Sequence, residues 1–413
     1  MKKLVTLVLM LSLLGTGCST KKPMDLMVNI EKNRVSPVED LTDESAAVAD
    51  FGIRLFQKSM EFSKKENELI SPLSVLCALS MTANGAKGHT LAQMEDVLGL
   101  DVDTLNHWIY SYMESLPEEE TYKLSIANSI WFKDVESFTV NEDFLQLNAD
   151  YYDASLYQVP FDDATLKAIN NWVKEETHDM IPSILDKIPD EAVMYLVNAL
   201  AFDAEWNDIY EENEIHDGTF TKEDGTTEKA EFMYATEGYY LEDDNATGFI
   251  KHYDDKKYAF VALLPKEGVT VEEYVNSLTG TDFMELFKTV ENTSVKTAIP
   301  KFETEYDVEM SEILIAMGMT DAFDSAAADF TGIGTSLEGN IAISHVIHKT
   351  RISVDEKGTK AGAATLVEMV CESARSREEN VKKVYLDRPF VYMVVDCETN
   401  LPFFMGTMMD VEA

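Results

Sequence analysis

The side chains best suited to nucleophilic or metal chemistry in this chain are its seven histidines and four cysteines. None of the histidines belongs to an HExxH pair, and the sequence contains neither a GxSxG nucleophile elbow nor a phosphate-binding Walker loop. His345 and His348 are three residues apart in a strand-like run, so their side chains point to opposite faces. The sequence therefore predicts that the protein is not an enzyme and has no metal or cofactor.

The cysteines offer little chemistry either. Apart from Cys18 near the N-terminus, the chain has three cysteines, and their spacing gives neither a zinc site nor a CxxC redox pair. Cys77 lies in an apolar helical stretch and Cys397 in a late strand, so both are interpreted as small core residues. Cys371 lies in a segment interpreted below as an exposed loop and is the thiol expected to react.

The most informative segment is Ser353–Val367, SVDEKGTKAGAATLV, which is rich in glycine, alanine and threonine. Such residues bury too little surface to hold a strand of their own. They suit a segment that is an exposed loop in one state and a strand inserted between other strands in a second state. Because side chains alternate across a sheet, the charge of Lys360 falls on one face. The other face would carry Thr359, Ala361, Ala363 and Thr365.

This segment resembles the hinge of the reactive-centre loop of serpins, and other blocks resemble the same family in the same order. The resemblance covers residues 46 to 410. It implies an α+β serpin fold with three β-sheets, eight to nine α-helices and an exposed reactive-centre loop at about residues 356–387. The blocks are Asn67–Met94, Ala127–Phe132, Ile169–Leu185, Leu196–Trp206, Ile299–Phe323, Ala328–Ile333 and Arg388–Gly406.

Composition indicates one large domain and limits the possible partners. No Pro/Gly/Ser-rich linker or internal repeat divides residues 46–413, and 45% of the chain is hydrophobic. The net charge of −41 argues against nucleic acid as a partner, because phosphate binding needs clustered lysine and arginine. Leu91–Glu120, where some serpins bind heparin-type polyanions, is acidic here, so no such cofactor is expected. The charge is interpreted as favouring solubility, and a monomer is expected.

The N-terminus has the pattern of a targeting signal. Lys2 and Lys3 precede an apolar run at Leu4–Leu14, which is too short to span a bilayer as a mature helix. Cys18 then resembles the lipidated cysteine of bacterial lipoproteins, although Gly15 stands where leucine is preferred. The prediction is a signal peptide at 1–17, a lipidated N-terminus with a flexible tether at 18–45, and a cell-surface, extracytoplasmic location. The alternative is an ordinary secretory signal, with the protein secreted and Cys18 incidental.

The resemblance implies a suicide-substrate mechanism. A serine or cysteine protease cleaves the exposed loop and forms an acyl-enzyme, and the cut loop inserts as a new central strand of sheet A, which traps the protease in a covalent complex. About fifteen inserted residues at roughly 3.3 Å each would span on the order of 50 Å. That length is enough to carry the protease from one pole of the domain towards the other.

The family's spacing also implies a scissile bond. Counted from Gly358, the residue on the N-terminal side of the cut (P1) is Glu372 and the next residue (P1′) is Ser373. Because the loop after Ser373 is longer than usual, the bond between Arg375 and Ser376 is an alternative that would suit a trypsin-like protease. Cleavage at Met369 or Val370 would suit an elastase-like one.

Three further sets of residues carry over from the resemblance. Trp206 matches the breach at the top of sheet A, and Glu356 with Lys301 matches an ion pair that anchors the hinge, limited by exposure to about 1 kcal/mol. The third set consists of four polar residues, and each of them, taken singly, would be interpreted as an ordinary hydrogen-bonded core residue. Together they match the shutter, the buried polar cluster beneath the opening of sheet A: Ser71, Ser74, Asn198 and His348.

The main alternative to inhibition is a non-inhibitory serpin-fold protein that acts as a binding or chaperone-like module. Such members typically carry bulky, charged or proline residues at the inward hinge positions, and this chain has threonine and alanine there. Lys357 and Lys360 depart from the family, which often has glutamate at these positions. Both are expected to face solvent, so insertion should survive. Asp203–Ala204 replaces the usual Lys-Gly before Trp206.

Overall fold

The computed structural model describes residues 23–63, 67–116, 122–135, 138–189, 192–254, 256–336, 340–360 and 381–412. The α+β class predicted from the sequence is confirmed. Nine α-helices lie in these ranges: α1 (Thr42–Phe62), α2 (Pro72–Ala83), α3 (Gly88–Leu98), α4 (Val102–Ser115), α5 (Glu142–Tyr152), α6 (Asp163–Glu176), α7 (Val271–Ser277), α8 (Gly280–Lys288) and α9 (Ser311–Met317).

Eighteen strands lie in the same ranges, and most are short. The first nine are β1 (Met24–Asp25), β2 (Leu69–Ile70), β3 (Tyr122–Lys133), β4 (Thr139–Val140), β5 (Ser155–Val159), β6 (Met194–Glu205), β7 (Ile215–Thr221), β8 (Thr227–Glu242) and β9 (Ala246–His252). The others are β10 (Tyr258–Pro265), β11 (Glu291–Pro300), β12 (Phe302–Glu309), β13 (Gly334–Thr335), β14 (His345–Val354), β15 (Gly358–Lys360), β16 (Lys382–Tyr385), β17 (Phe390–Asp396) and β18 (Pro402–Met408).

The described strands form three sheets. The seven-stranded sheet, called sheet A here, has the order β1-β5-β3-β6-β15-β14-β12, with a further pairing between β6 and β14. A nine-stranded sheet has the order β16-β11-β8-β9-β10-β17-β18-β2, with β7 on β8, and a small sheet pairs β13 with β4. The main core lies between the two large sheets and α1 and α2, and a smaller one lies beneath α6.

The centre of sheet A is open at one end and closed at the other. At the closed end β14 pairs in parallel with β6, with His345 beside Tyr195 and Lys349 beside Ala199. Further along, the two strands separate, and β15 lies between them, antiparallel to both. The sheet therefore has a partly occupied gap at the end of β6 that contains Ala204, and we call this end the hinge end.

Helix α2 packs beneath the closed part of sheet A, and its residues are small and mostly apolar on every side. Ser71 caps its N-terminus by accepting a hydrogen bond from the backbone N–H of Ser74, and Pro72 occupies the first helical position. All twelve of its residues are buried. This helix positions the polar residues Ser71 and Ser74 directly under the strands that would have to part.

The N-terminal segment differs from its prediction. Residues 23–40, expected to form a flexible tether, lie along the domain, and we call them the N-terminal strap. Its strand β1 pairs antiparallel with β5. The backbone N–H and side-chain amide of Asn33 donate to the carboxylate of Asp150 at 2.7 and 3.0 Å. Leu26, Met27 and Ile30 pack against the core. These apolar contacts, which sequence pattern does not reveal, hold the strap in place.

Among the described residues, no helix combines the length and the apolar character needed to cross a membrane.

Candidate functional site

The hinge enters sheet A as β15. Gly358 pairs with Glu205 and Thr359 with Ala204 on one side, while Thr359 and Lys360 pair with β14 on the other. Gly358 is required here by close approach of the backbone. A Cβ atom at this position would lie 2.1 Å from the carbonyl oxygen of Ala204. The first residues of the small-residue segment are thus already a strand between β6 and β14.

Thr359 occupies the gap with its side chain fully buried. Its hydroxyl shares a 2.5 Å hydrogen bond with the phenol of Tyr253, which is also buried. Burial raises the pKa of Tyr253, so the phenol stays protonated and neutral. The position accepts a small side chain with one hydroxyl. The alternation of side chains in the sequence places Thr359 on the face opposite the charge of Lys360, and the burial of Thr359 agrees with that placement.

Trp206 holds the turn that leads into the hinge. Its indole N–H donates to the carbonyl oxygen of Asp355 at 2.9 Å, and its backbone N–H donates to that of Lys357 at 2.8 Å. The indole stacks on Tyr253 with ring centroids 4.7 Å apart. The ammonium of Lys251, itself 2% exposed, lies 5.3 Å from the Trp206 ring centroid. The breach position predicted from the sequence therefore touches both the hinge turn and the residue that binds Thr359.

The predicted hinge ion pair is present in the structure. Lys301 Nζ lies 2.9 Å from the carboxylate of Glu356, and a second carboxylate, that of Glu231, lies 3.5 Å away. The hydrogen bond from Lys301 holds the pKa of Glu356 below its ordinary value. Because both side chains are partly exposed, this pair contributes at most about 1 kcal/mol.

The four shutter residues meet beneath the closed part of sheet A. His348 on β14 lies beside Asn198 on β6. The backbone N–H of Ser71 donates to Nε2 of His348 at 3.0 Å, and the amide of Asn198 donates to Asn128 on β3. Three buried polar atoms of this cluster have no hydrogen-bond partner among the described residues: Ser74 Oγ, Asn198 Oδ1 and His348 Nδ1. The cluster therefore has spare hydrogen-bonding capacity that a change in strand pairing can use.

Burial lowers the pKa of His348 to about 3, so the imidazole is neutral at physiological pH. Its Nε2 accepts from Ser71, so the ring proton belongs on Nδ1. The imidazole therefore places no charge between β14 and α2.

This pKa predicts a pH-dependent stability. The unfolded histidine binds a proton below about pH 6.5, whereas the folded one does so only near 3. The contribution of His348 to the free energy of unfolding is thus fully present above pH 6.5. It is lost as the pH falls below that value, by about 1.4 kcal/mol per pH unit. We expect the free energy of unfolding, measured in urea at pH 7.5, 6.0 and 5.0, to fall less steeply in His348→Gln than in the wild type. His89→Gln, at an exposed histidine, is the matched control and should keep the wild-type slope. Equal slopes in all three proteins would contradict the assignment.

The remaining predicted site residues lie outside the described residues. These are Cys18 and the loop positions Ala361, Ala363, Thr365, Met369, Val370, Glu372, Ser373, Arg375 and Ser376. Of the cysteines that the structure describes, Cys77 is buried and Cys397 is partly buried, and neither is joined in a disulfide within the described ranges. Burial raises the pKa of the Cys77 thiol to about 12, so it is unreactive. Within the described ranges, no group of three or more metal-ligating side chains is arranged around one point.

Three contributors to the site were not singled out from the sequence. Asn128 lies within the block Ala127–Phe132, so the resemblance could have indicated it. Lys251 stands on β9 and Tyr253 directly follows that strand, in a region that none of the family blocks covers. No local pattern marks them, because their roles depend on contacts with Thr359 and Trp206 that are distant in sequence.

Comparison with known proteins agrees with this geometry. A family model described as serpin (serine protease inhibitor) matches residues 46–411. The solved structure of a thermophilic serpin, tengpin, in the native state is 48% identical, with a TM-score of 0.89, and the match covers 94% of this chain and 100% of that one. Human serpin B8 is 31% identical over 89% of this chain and 99% of its own. A serpin-like protein of Thermococcus kodakarensis is 28% identical over 95% and 92% of the two chains.

The chain therefore belongs to the serpin family. Its three sheets and its nine described helices are those of the serpin fold. Most serpins are protease inhibitors rather than enzymes, and they generally bind the proteases they inhibit. The described geometry at the hinge, breach and shutter is the part of the fold on which a more specific function must rest.

Proposed function

We propose that this protein inhibits serine or cysteine proteases as a suicide substrate, through cleavage of its loop, trapping of the acyl-enzyme and insertion of the loop into sheet A. The observation that carries this proposal is the burial of Thr359 between β6 and β14. The uncut hinge already pairs with both strands that would flank the inserted loop. Insertion then continues a strand that has begun, and does not need to start a new one.

The register of β15 supports insertion along the full sheet. Each step along the loop moves its partner one residue back along β6, as the pairs Gly358–Glu205 and Thr359–Ala204 show. Continued in this way, Met369 would reach Met194, the first residue of β6. A P1 residue at Glu372 would lie just past that end. The inserted loop would therefore carry an acylated protease to the end of sheet A opposite the hinge end.

Insertion requires β6 and β14 to part where they now pair. The backbone hydrogen bonds that now join β14 to Tyr195–Ala199 on β6 would be lost. Hydrogen bonds from the inserted strand to both neighbours would replace them. A strand with two paired edges replaces one direct pairing, so the number of ladder hydrogen bonds increases. The neutral His348 beneath the parting strands adds no charge penalty. The native sheet, with fewer ladder hydrogen bonds than the inserted one, would have the higher free energy. The release of that difference on insertion would drive trapping of the protease.

The inhibitory activity is tested by incubation with proteases of glutamyl-, trypsin- and elastase-like specificity. We expect a complex that survives SDS with at least one of them, together with a released C-terminal fragment. Cleavage of the loop by every class without such a complex would contradict the proposal.

The fragment also identifies the cut. We propose Glu372 as P1, because the count from Gly358 gives an insertion that just passes the end of β6. We expect Glu372→Gln to abolish the complex with a glutamyl-specific protease, while Arg375→Gln, the matched control, retains it. Mass spectrometry should give a fragment that starts at Ser373. A stable complex with a fragment starting at Ser376 would show that the count is wrong, and a start at Val370 or Cys371 would shift the target class to elastase-like proteases.

We also propose that the protein is a cell-surface lipoprotein anchored through Cys18 and acts as a monomer. The support for the anchor is the order of basic residues, short apolar run and cysteine at the N-terminus. Mass spectrometry of the mature N-terminal peptide tests the anchor. A diacylglyceryl-modified peptide that begins at Cys18 is expected, and an unmodified N-terminus would indicate the secreted alternative.

A further inference from the structure

The N-terminal strap leaves the domain at one particular end of sheet A. Met24 pairs with Gln158 on β5, and β5 pairs through Phe132 on β3 with Met194 on β6. Met194 and Ala204 are ten residues apart on β6, so Met24 lies about 33 Å along the sheet from the hinge end. We call the end that contains Met24 and Met194 the anchor end.

The strap also has a defined direction. Leu26 donates its backbone N–H to Leu156, Asp25 pairs with Tyr157 and Met24 with Gln158. Read towards the N-terminus, the strap therefore follows β5 away from the hinge end. Within β1, Met24 is therefore the residue that lies farthest from the hinge end.

The link between the strap and the anchor is short. Only five residues, 19–23, separate Cys18 from Met24, and five extended residues reach at most about 18 Å. With a net charge of −41, the domain is not attracted to anionic lipid. The lipid and the strap therefore determine how the domain stands on the membrane.

We propose that the N-terminal strap holds the anchor end of sheet A against the bilayer and the reactive-centre loop away from it, and that trapping of a protease on the membrane requires the strap to detach. This proposal rests on the proposed inhibitory function and lipid anchor. In this orientation Lys360, the last described residue before the loop, lies at the hinge end and so on the side of the domain away from the bilayer.

The requirement that the strap detach follows from the position that the trapped protease would reach. Full insertion brings P1 just beyond Met194, at the anchor end. A protease domain of roughly 230 residues has a radius of gyration of about 17 Å, so its diameter exceeds the reach of the five-residue link. The docked strap would leave too little room between the domain and the bilayer. With the strap released, residues 19–40 would act as a longer link that accommodates the protease.

The orientation is tested with two proteins that each carry one introduced, exposed cysteine labelled with a fluorescent donor, in a background that keeps only the lipidated Cys18 and the buried Cys77. The lipidated protein, with Cys371 and Cys397 replaced by serine, is reconstituted into phosphatidylcholine–phosphatidylglycerol vesicles that carry an acceptor lipid. The labels are placed at Val193→Cys beside the anchor end and at Ile209→Cys at the hinge end, which have similar exposures of 40% and 44%. Energy transfer from Val193→Cys is expected to be at least about twofold more efficient, because the two ends are separated by about 33 Å along the strand. Equal transfer, or more from Ile209→Cys, would overturn the orientation.

Detachment is tested by locking the strap. Met24→Cys and Gln158→Cys replace residues that lie directly opposite each other on adjacent antiparallel strands, which is a spacing that a disulfide can bridge. On vesicles, the oxidised protein is expected to be cleaved without forming an SDS-stable complex, and reduction should restore the complex. The same locked protein with Cys18→Ser, free of lipid, should form complexes in both redox states.

The outcomes distinguish failure of this inference from failure of the two proposals on which it rests, protease inhibition and the lipid anchor. Complexes formed equally well by the oxidised and reduced lipidated proteins would overturn strap detachment while leaving inhibition intact. Failure of the lipid-free protein to form complexes even when reduced would refute inhibition itself, and the inference with it. A mature protein without lipid on Cys18 would overturn the orientation but not the inhibitory function.

Discussion

Replacing Thr359 with arginine is expected to abolish inhibition while leaving the loop cleavable. Thr359 is fully buried between β6 and β14 and hydrogen-bonded to Tyr253. An arginine at this position would bury its guanidinium without a carboxylate partner, at a cost of several kcal/mol, so the hinge would be displaced from the gap and insertion could not continue from it. Incubated with the target protease, Thr359→Arg should give only cleaved protein on an SDS gel, with a loss of complex of at least about a hundredfold, since 1.4 kcal/mol is a factor of ten.

Thr359→Ser is the matched control. Serine keeps the small volume and the hydroxyl that reaches Tyr253, so complex formation should be close to that of the wild type. If Thr359→Arg still formed the covalent complex, the side chain at this position would not face the gap during insertion. In that case, the register of β15 could not be extended to the rest of the loop.

Cleavage of the loop is expected to raise the melting temperature by at least about 10 °C. The inserted segment would form ladder hydrogen bonds with both β6 and β14 along roughly twelve residues, and each such bond stabilises by about 1 kcal/mol. A gain of that size shifts the melting temperature by many degrees even in a domain of this length. The measurement is differential scanning calorimetry of the intact protein and of the protein cut in the loop by a non-target protease.

Thr359→Arg provides the internal control for this experiment as well. Its cut form should melt close to its intact form, because the loop cannot insert past the buried charge. Equal melting temperatures for cut and intact wild type would instead favour the non-inhibitory alternative, in which the native sheet stores no usable free energy.

Much of the site could be predicted because it depends on local or family-specific patterns. The small residues after Gly358 indicate a segment able to insert, and the ion pair between Lys301 and Glu356 lies where the resemblance implies it. Tyr253 could not be predicted in this way. A tyrosine that follows the end of a strand, between a histidine and an aspartate, has no local feature that shows that it will meet a threonine 106 residues later.

The N-terminal strap illustrates the same limit. Its composition is polar and contains two prolines, which is typical of a flexible tether, but Leu26 and Ile30 find apolar surface on the domain. Whether a short segment docks depends on the shape of the surface that receives it and on the free edge of β5, and neither is encoded in the segment itself.

By itself, the sequence determined the α+β class, the absence of known enzyme motifs and the identity of the hinge, because spacing and side-chain size are local properties. Only the tertiary structure decided that Thr359 already lies between β6 and β14, that His348 is neutral beneath those strands, and that Met24 of the strap lies at the end of sheet A opposite the hinge end. The physical reason is that each of these depends on burial and on strand register. Both arise only when segments that are far apart in the sequence pack together.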